Sequence, residues 1–280
     1  MGLSKRLVLK YVRTKFKLLS SISKRKAAEK AFELFCTPQF RVNKDLPPVF
    51  KKSEKIEFPF EGNTVRGYRW NHPSSKKVLI LHGFESSVIN FEKYIEPLIK
   101  KGYEVLAFDA PAHGRSTGKI ITVIIYKNMI RHIWNNYGPI DSFITHSFGG
   151  LTLTLALEEI AHDTSTRVVL IAPAAETKTA IDNFFRLLKL DDGVRIEFDK
   201  IIEEQGGKPP GWYSVARTAA NIKGQVLFLQ DKDDNLTPVT DVKPIIDKNY
   251  PNFRFVISEG LGHRKIYRDE SSFRKIMEFL

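Results

Sequence analysis

At 280 residues, with 42% hydrophobic and 11% aromatic side chains, the chain can bury a sizeable core, which excludes an intrinsically disordered protein. Its single cysteine, Cys36, excludes an intrachain disulfide framework and suits a reducing compartment, so a cytoplasmic location is expected. Fourteen Lys/Arg against three Asp/Glu in residues 1–52 supply +11 of the net charge of +12, so the basic character belongs to an N-terminal arm and not to the body.

The arm begins with a basic amphipathic pattern over residues 1–23. Leu7, Val8, Tyr11, Val12, Phe16, Leu19 and Ile22 recur at helical spacing among Lys5, Arg6, Lys10, Arg13 and Lys17. Such a helix either packs on the body or lies on an anionic membrane, peripheral to its inner face. The four cations that break Leu7–Leu19 are unlike a signal peptide, and no apolar run approaches the ~18 residues that span a bilayer. A nucleic-acid partner is not expected, because no recognised reader motif accompanies the charge. A second helix is predicted over 24–35, followed by an extended connection through Pro38, Pro47 and Pro48.

The globular body is placed at 53–280. Residues 55–60 and 64–70 flank Glu61-Gly62-Asn63 and read as a β-hairpin. Beyond it, apolar strands are predicted at 78–81, 105–108, 143–145, 168–171, 226–229 and 253–257. Helices are predicted between and after them at 88–101, 119–136, 148–161, 240–248 and 265–279. This alternation predicts a mostly parallel sheet covered by helices on both faces. One connection, 172–223, is far longer than the rest and carries helical patterns at 176–190 and 195–205. Its dense apolar set, Phe184, Phe185, Leu187, Leu188 and Leu190, reads as a cap over a site, with Phe184 and Leu188 as candidate substrate-binding residues; the same set also suits an ordinary helix pair burying one face.

Thr145-His-Ser-Phe-Gly-Gly150 lies between a predicted strand and a predicted helix. A serine there is held in a strained turn with its Oγ pushed out above the sheet, and small residues behind it let strand and helix nearly touch. A serine hydroxyl needs a base, and of seven histidines His263, in the loop after the last strand, is the best candidate. The orienting acid is sought in the loop after 226–229, where Asp231, Asp233 and Asp234 stand; Asp234 is preferred and Asp233 is the alternative. The backbone N–H groups of Phe148 and Phe84 are the expected oxyanion donors. His82, His113 and His146 are expected to be structural.

His82-Gly-Phe84, Asp109-Ala-Pro-Ala-His-Gly-Arg-Ser116, the Ser147 elbow, Asp234-Asn-Leu-Thr-Pro238 and Gly262-His263 stand in the order found in the α/β-hydrolase superfamily, which the chain resembles over about residues 53–280. The resemblance implies the α/β-hydrolase fold, with an inserted helical cap (172–223) and an N-terminal helical extension (1–52). It implies Ser147, Asp234 and His263 as catalytic triad, since the family's acid stands four residues before the loop proline. It also implies hydrolysis of an ester or related acyl bond of a small-molecule substrate; the apolar cap, and not the resemblance, suggests a small or apolar acyl group. A non-catalytic binding protein on the same fold is the alternative. No metal or organic cofactor is expected. Haloalkane dehalogenases, which the scaffold also resembles, carry aspartate where Ser147 stands. Thr145 departs from the glycine usual two positions before the nucleophile.

Overall fold

The computed structural model describes residues 3–42 and 44–280. The chain divides into two compact units: Met1–Thr37 with Glu176–Tyr213, and Pro38–Ala175 with Ser214–Leu280.

The larger unit is built on one eight-stranded sheet: β1 (Glu54–Phe60), β2 (Asn63–Trp70), β3 (Lys77–Leu81), β4 (Glu104–Asp109), β5 (Ser142–His146), β6 (Arg167–Ile171), β7 (Gln225–Asp231) and β8 (Phe253–Ser258). Their order in the sheet is β1-β2-β4-β3-β5-β6-β7-β8. β1 and β2 form an antiparallel hairpin, and β2 runs antiparallel to β4; every later pairing is parallel. The central strands are continuous apolar runs because helices cover both faces. One face carries Val78, Ile80, Val105, Ala107, Ile144, Val169, Ile171, Leu227 and Leu229 into a core with Phe91, Tyr94, Leu98 and Ile276. Strand alternation sends Leu79, Leu106, Phe143, Leu170 and Phe228 to the other face, where they are equally buried. β5 lies mid-sheet, so the loop at its C-terminal end opens at the centre of the sheet edge, between those of β3 and β6.

Several helices depart from their predicted bounds. The helix after β5 ends at Ala156, not 161, and Glu158 just beyond it pairs instead with Arg217 (2.5 Å) and Asn221 (2.8 Å). The predicted 265–279 helix is two pieces, Gly262–Lys265 and Glu270–Phe279, because Asp269 accepts from Ser272 N–H (2.8 Å) and caps a new helix. The connection after the arm holds one helical turn, Pro48–Lys51, started by its proline.

The smaller unit is all helical and joins the two pieces that the sequence suggests as separate arm and insertion. Helices Leu3–Ile22 and Lys24–Phe35 pack with Thr177–Leu188 and Asp192–Gly206 around Phe16, Ile181, Leu188, Val194 and Phe198. Ala27, Ala28 and Ala31 are fully buried on one face of the second helix, which lets Asp192–Gly206 approach closely. Phe198 meets the rings of Phe32, Phe35 and Phe185 at 5.1–5.7 Å. Polar contacts tie the pieces as well: Arg13 donates to Leu187 O, Lys24 pairs with Asp191 (3.0 Å), and Arg25 grips Glu204 bidentately. Residues 214–223, predicted as part of the insertion, belong to the larger unit.

Candidate active site

Ser147 stands alone between the last residue of β5 and helix Phe148–Ala156, with φ 53° and ψ −118°. A non-glycine residue at positive φ costs on the order of 1–3 kcal/mol and persists only when its surroundings hold it there. They do: Ser147 N–H donates to Ile171 O (3.0 Å), and its carbonyl accepts from Gly150 (2.9 Å) and Ala174 (3.0 Å). Gly149 is needed because a Cβ there would stand 2.7 Å from His82 O and 2.9 Å from Leu81 O, both rigid backbone. Thr145 fits where glycine is usual because its side chain turns to the neighbouring strand and donates to Val169 O (2.9 Å).

The turn after β8 brings His263 to the serine. Its Nε2 lies 3.0 Å from Ser147 Oγ, and its Nδ1 lies 2.7 Å from Asp234 Oδ2. A carboxylate only accepts, so Nδ1 carries the proton and the Nε2 lone pair faces the hydroxyl. The Asp234 side chain is wholly buried and that of His263 is 11% exposed. Burial by itself would raise the Asp234 carboxyl, but the hydrogen bond and charge of His263 and the donors of Thr237 outweigh it and hold it below the usual carboxylate range.

The three aspartates of this loop divide the work. Asp234 faces the imidazole. Asp231, at the end of β7, accepts from Ser258 Oγ (2.6 Å), Gly262 N–H (2.8 Å) and Leu261 N–H (3.2 Å), and so anchors the segment that carries His263. Asp233 accepts from Gly260 N–H (2.8 Å) on the same segment. Two further residues, each inside one of the sequence motifs, also serve the site. Thr237 Oγ1 donates to Asp234 Oδ2 (2.6 Å) and lies 3.2 Å from His263 Nδ1; its position just before Pro238 was the available signal. His146 donates from Nε2 to His263 O (2.9 Å) and packs its ring on His263 and Tyr267. Its Nδ1 is buried with no partner among the described residues.

His82 and His113 hold the loop after β3. His82 donates from Nδ1 to Gly83 O (2.8 Å) and accepts Ala110 N–H (3.0 Å); His113 donates to Pro111 O (3.0 Å) and accepts Glu85 N–H (3.0 Å). Burial pushes His82 down to about 4; burial and then the charge of His82 push His113 to about 3, and burial and then His263 push His146 to about 3. All three are therefore neutral near pH 7 and act as fixed hydrogen-bonding struts. Asp109, fully buried, receives Ser87 Oγ, Val88 N–H and Arg115 N–H and fastens the neighbouring loop.

The loop after β3 runs hard against the serine: a Cβ on Gly83 would stand 2.9 Å from Ser147 Cβ. The N–H groups of the adjoining Phe84 and of Phe148, first residue of its helix, donate to no backbone acceptor among the described residues. Their rings meet edge to face at 6.1 Å, and Phe84 is 36% exposed. Phe184 and Leu188 belong to the helical unit, where Leu188 is buried in the core and Phe184 packs on Phe35, Phe185 and Phe198; that core takes up the apolar set that suggests an acyl site, apart from Leu187, which is 52% exposed. Among the described residues no three His, Cys, Asp or Glu cluster as metal ligands.

Residues 72–191 match a family model described as serine aminopeptidase, S33. The chain is 24% identical over 252 residues to the uncharacterized protein YqkD of Bacillus subtilis, covering 84% of this chain and 82% of that protein. It is 26% identical over 126 residues to the uncharacterized hydrolase YugF of the same organism, covering 43% and 45%. Among solved structures, the Pyrococcus furiosus esterase Pf2001 superposes with a TM-score of 0.64 at 24% identity, covering 88% of this chain and 97% of that one.

Proposed function

The chain belongs to the α/β-hydrolase superfamily, and from that premise we propose that it is a serine hydrolase cleaving an ester through an acyl-enzyme intermediate. The observation that carries this reading is the hydrogen-bonded run from Asp234 through His263 to Ser147 Oγ, at 2.7 and 3.0 Å. Ser147 Oγ attacks the carbonyl carbon as its proton passes to His263 Nε2. The carbonyl π pair moves onto oxygen, where the Phe84 and Phe148 N–H groups receive it; each such donor contributes about 3–4 kcal/mol to the barrier's lowering. Collapse expels the alcohol, protonated by His263. Water, deprotonated by the same imidazole, then attacks the acyl carbon and returns Ser147. Asp234 keeps the imidazole in the reactive tautomer and stabilises it when charged.

The exposed Phe84 ring beside Phe148 supports an apolar acyl group. The serine aminopeptidase match favours one second reading, cleavage of an aminoacyl amide by the same groups. A panel of p-nitrophenyl esters from acetate to dodecanoate, with aminoacyl p-nitroanilides beside it, separates them; turnover of anilides alone overturns the ester reading, and cleavage of acetate alone removes the apolar preference. A fluorophosphonate probe should label Ser147 in the wild type and nothing in Ser147→Ala. A wild-type protein that stays unlabelled and turns over none of the panel would end the enzymatic reading in favour of a binding scaffold.

A further inference from the structure

Helix Leu3–Ile22 presents two apolar stripes. Leu9, Val12, Phe16 and Leu19 face the core of the helical unit. Leu7, Val8, Tyr11, Leu18 and Ile22 remain 61–80% exposed. At about 100° per residue these five fall within a single arc of about 100°, with Lys15 inside that arc, between Tyr11 and Leu18 along the chain. Arg6, Lys10 and Lys17 lie together along one flank, in an arc of about 40° on the same count. The helix holds six Lys/Arg and no Asp/Glu. Arg13 is engaged with Leu187 O, whereas Arg6, Lys10, Lys15 and Lys17 make no ion pair among the described residues.

We propose that this exposed stripe and its cationic flank form a docking face for an anionic lipid bilayer, on which the helix lies in the plane of the surface. An apolar stripe left open beside unpaired cations matches a surface whose headgroups are negative and whose acyl region lies just beneath them. Charge complementarity argues against a second copy as occupant, because a symmetric pairing of this face would bring two sets of cations together with no acid on either helix. Among the described residues no helix is long and apolar enough to cross a membrane, in keeping with an in-plane arrangement.

The test is co-sedimentation of the full chain with phosphatidylcholine vesicles, with and without about 30% phosphatidylglycerol, at low and high salt. Partition onto the anionic vesicles is expected to exceed that onto neutral ones by at least about tenfold. It should weaken as salt shortens the screening length from ~10 Å to ~3 Å. Leu18→Glu should lower it by about tenfold or more, with the circular dichroism spectrum unchanged. Lys10→Gln and Lys17→Gln should each lower anionic binding by about fivefold and leave neutral binding alone. Equal partition onto both vesicles, or onto neither, overturns the proposal. So does a dimer in sedimentation velocity that Leu18→Glu dissolves while no vesicle is bound.

Discussion

Asp234 shows how much one side chain owes to its neighbours. Its folded-state carboxyl lies below the usual value, so its ionised form adds stability above the unfolded value near ~3.9, and that stability is lost as pH falls through the lower, folded value. Loss of hydrolysis on acidification from pH 7 to 5 is therefore not expected to come from Asp234. Asp234→Asn leaves the contact but favours the wrong imidazole tautomer, and kcat should fall about 10⁴-fold with little change in KM; steady-state kinetics on a p-nitrophenyl ester measures this. Thr237→Val removes a donor to the same oxygen. We expect a loss of about 1–2 kcal/mol in chemical denaturation, because a buried carboxylate oxygen loses a short hydrogen bond, together with an acid limb of the unfolding profile moved to higher pH. At this scale the motif residues were legible from sequence, since Ser147, Asp234 and His263 each sit in a recognisable local context. The anchoring role of Asp231 was not, because its donors Ser258, Leu261 and Gly262 lie on another segment. A hydrogen bond across 27 or more residues leaves no local pattern.

The strand–serine–helix turn depends on backbone contact. Gly149→Ala would place a Cβ 2.7 Å from the carbonyl of His82, and neither β3 nor β5 can give way inside a paired sheet. A cost of about 1–3 kcal/mol and a misplaced Ser147 are expected, read as a lowered Tm and slower fluorophosphonate labelling. In the helical unit, Phe198 is the packing centre, and Phe198→Ala should cost about 3–5 kcal/mol in the unfolding of that unit. Asp191 caps Asp192–Gly206 and accepts from Ser20 and Lys24. The Ser20 hydrogen bond leads in lowering its carboxyl to about 2. The sign follows: this contribution is whole above ~4 and disappears as pH falls towards 2, so helicity lost in that window should be smaller in Asp191→Asn, followed by circular dichroism.

Across the whole molecule, the arm and the insertion are distant in sequence yet share one core. A chain lacking residues 1–37 would leave the faces of Thr177–Leu188 and Asp192–Gly206 without Phe16, Ala27, Ala28 and Ala31. It is expected to bind a hydrophobic dye such as ANS and to aggregate, whereas Leu18→Glu should do neither. Were the truncated chain as soluble as the full one, the shared core would be unimportant.

The layered α/β architecture was readable because each buried strand must be apolar and each covering helix amphipathic, and those periods are local properties of the chain. The order Ser147, Asp234, His263 was readable because a strained turn and two loops carry their own residue types. What only the tertiary structure decided is pairing at a distance. The joining of residues 1–37 to 176–213, the split of one amphipathic helix into a packed and an exposed stripe, and the sharing of three aspartates along one loop all depend on which surfaces meet. Periodicity says that a face is apolar; it does not say what will cover it.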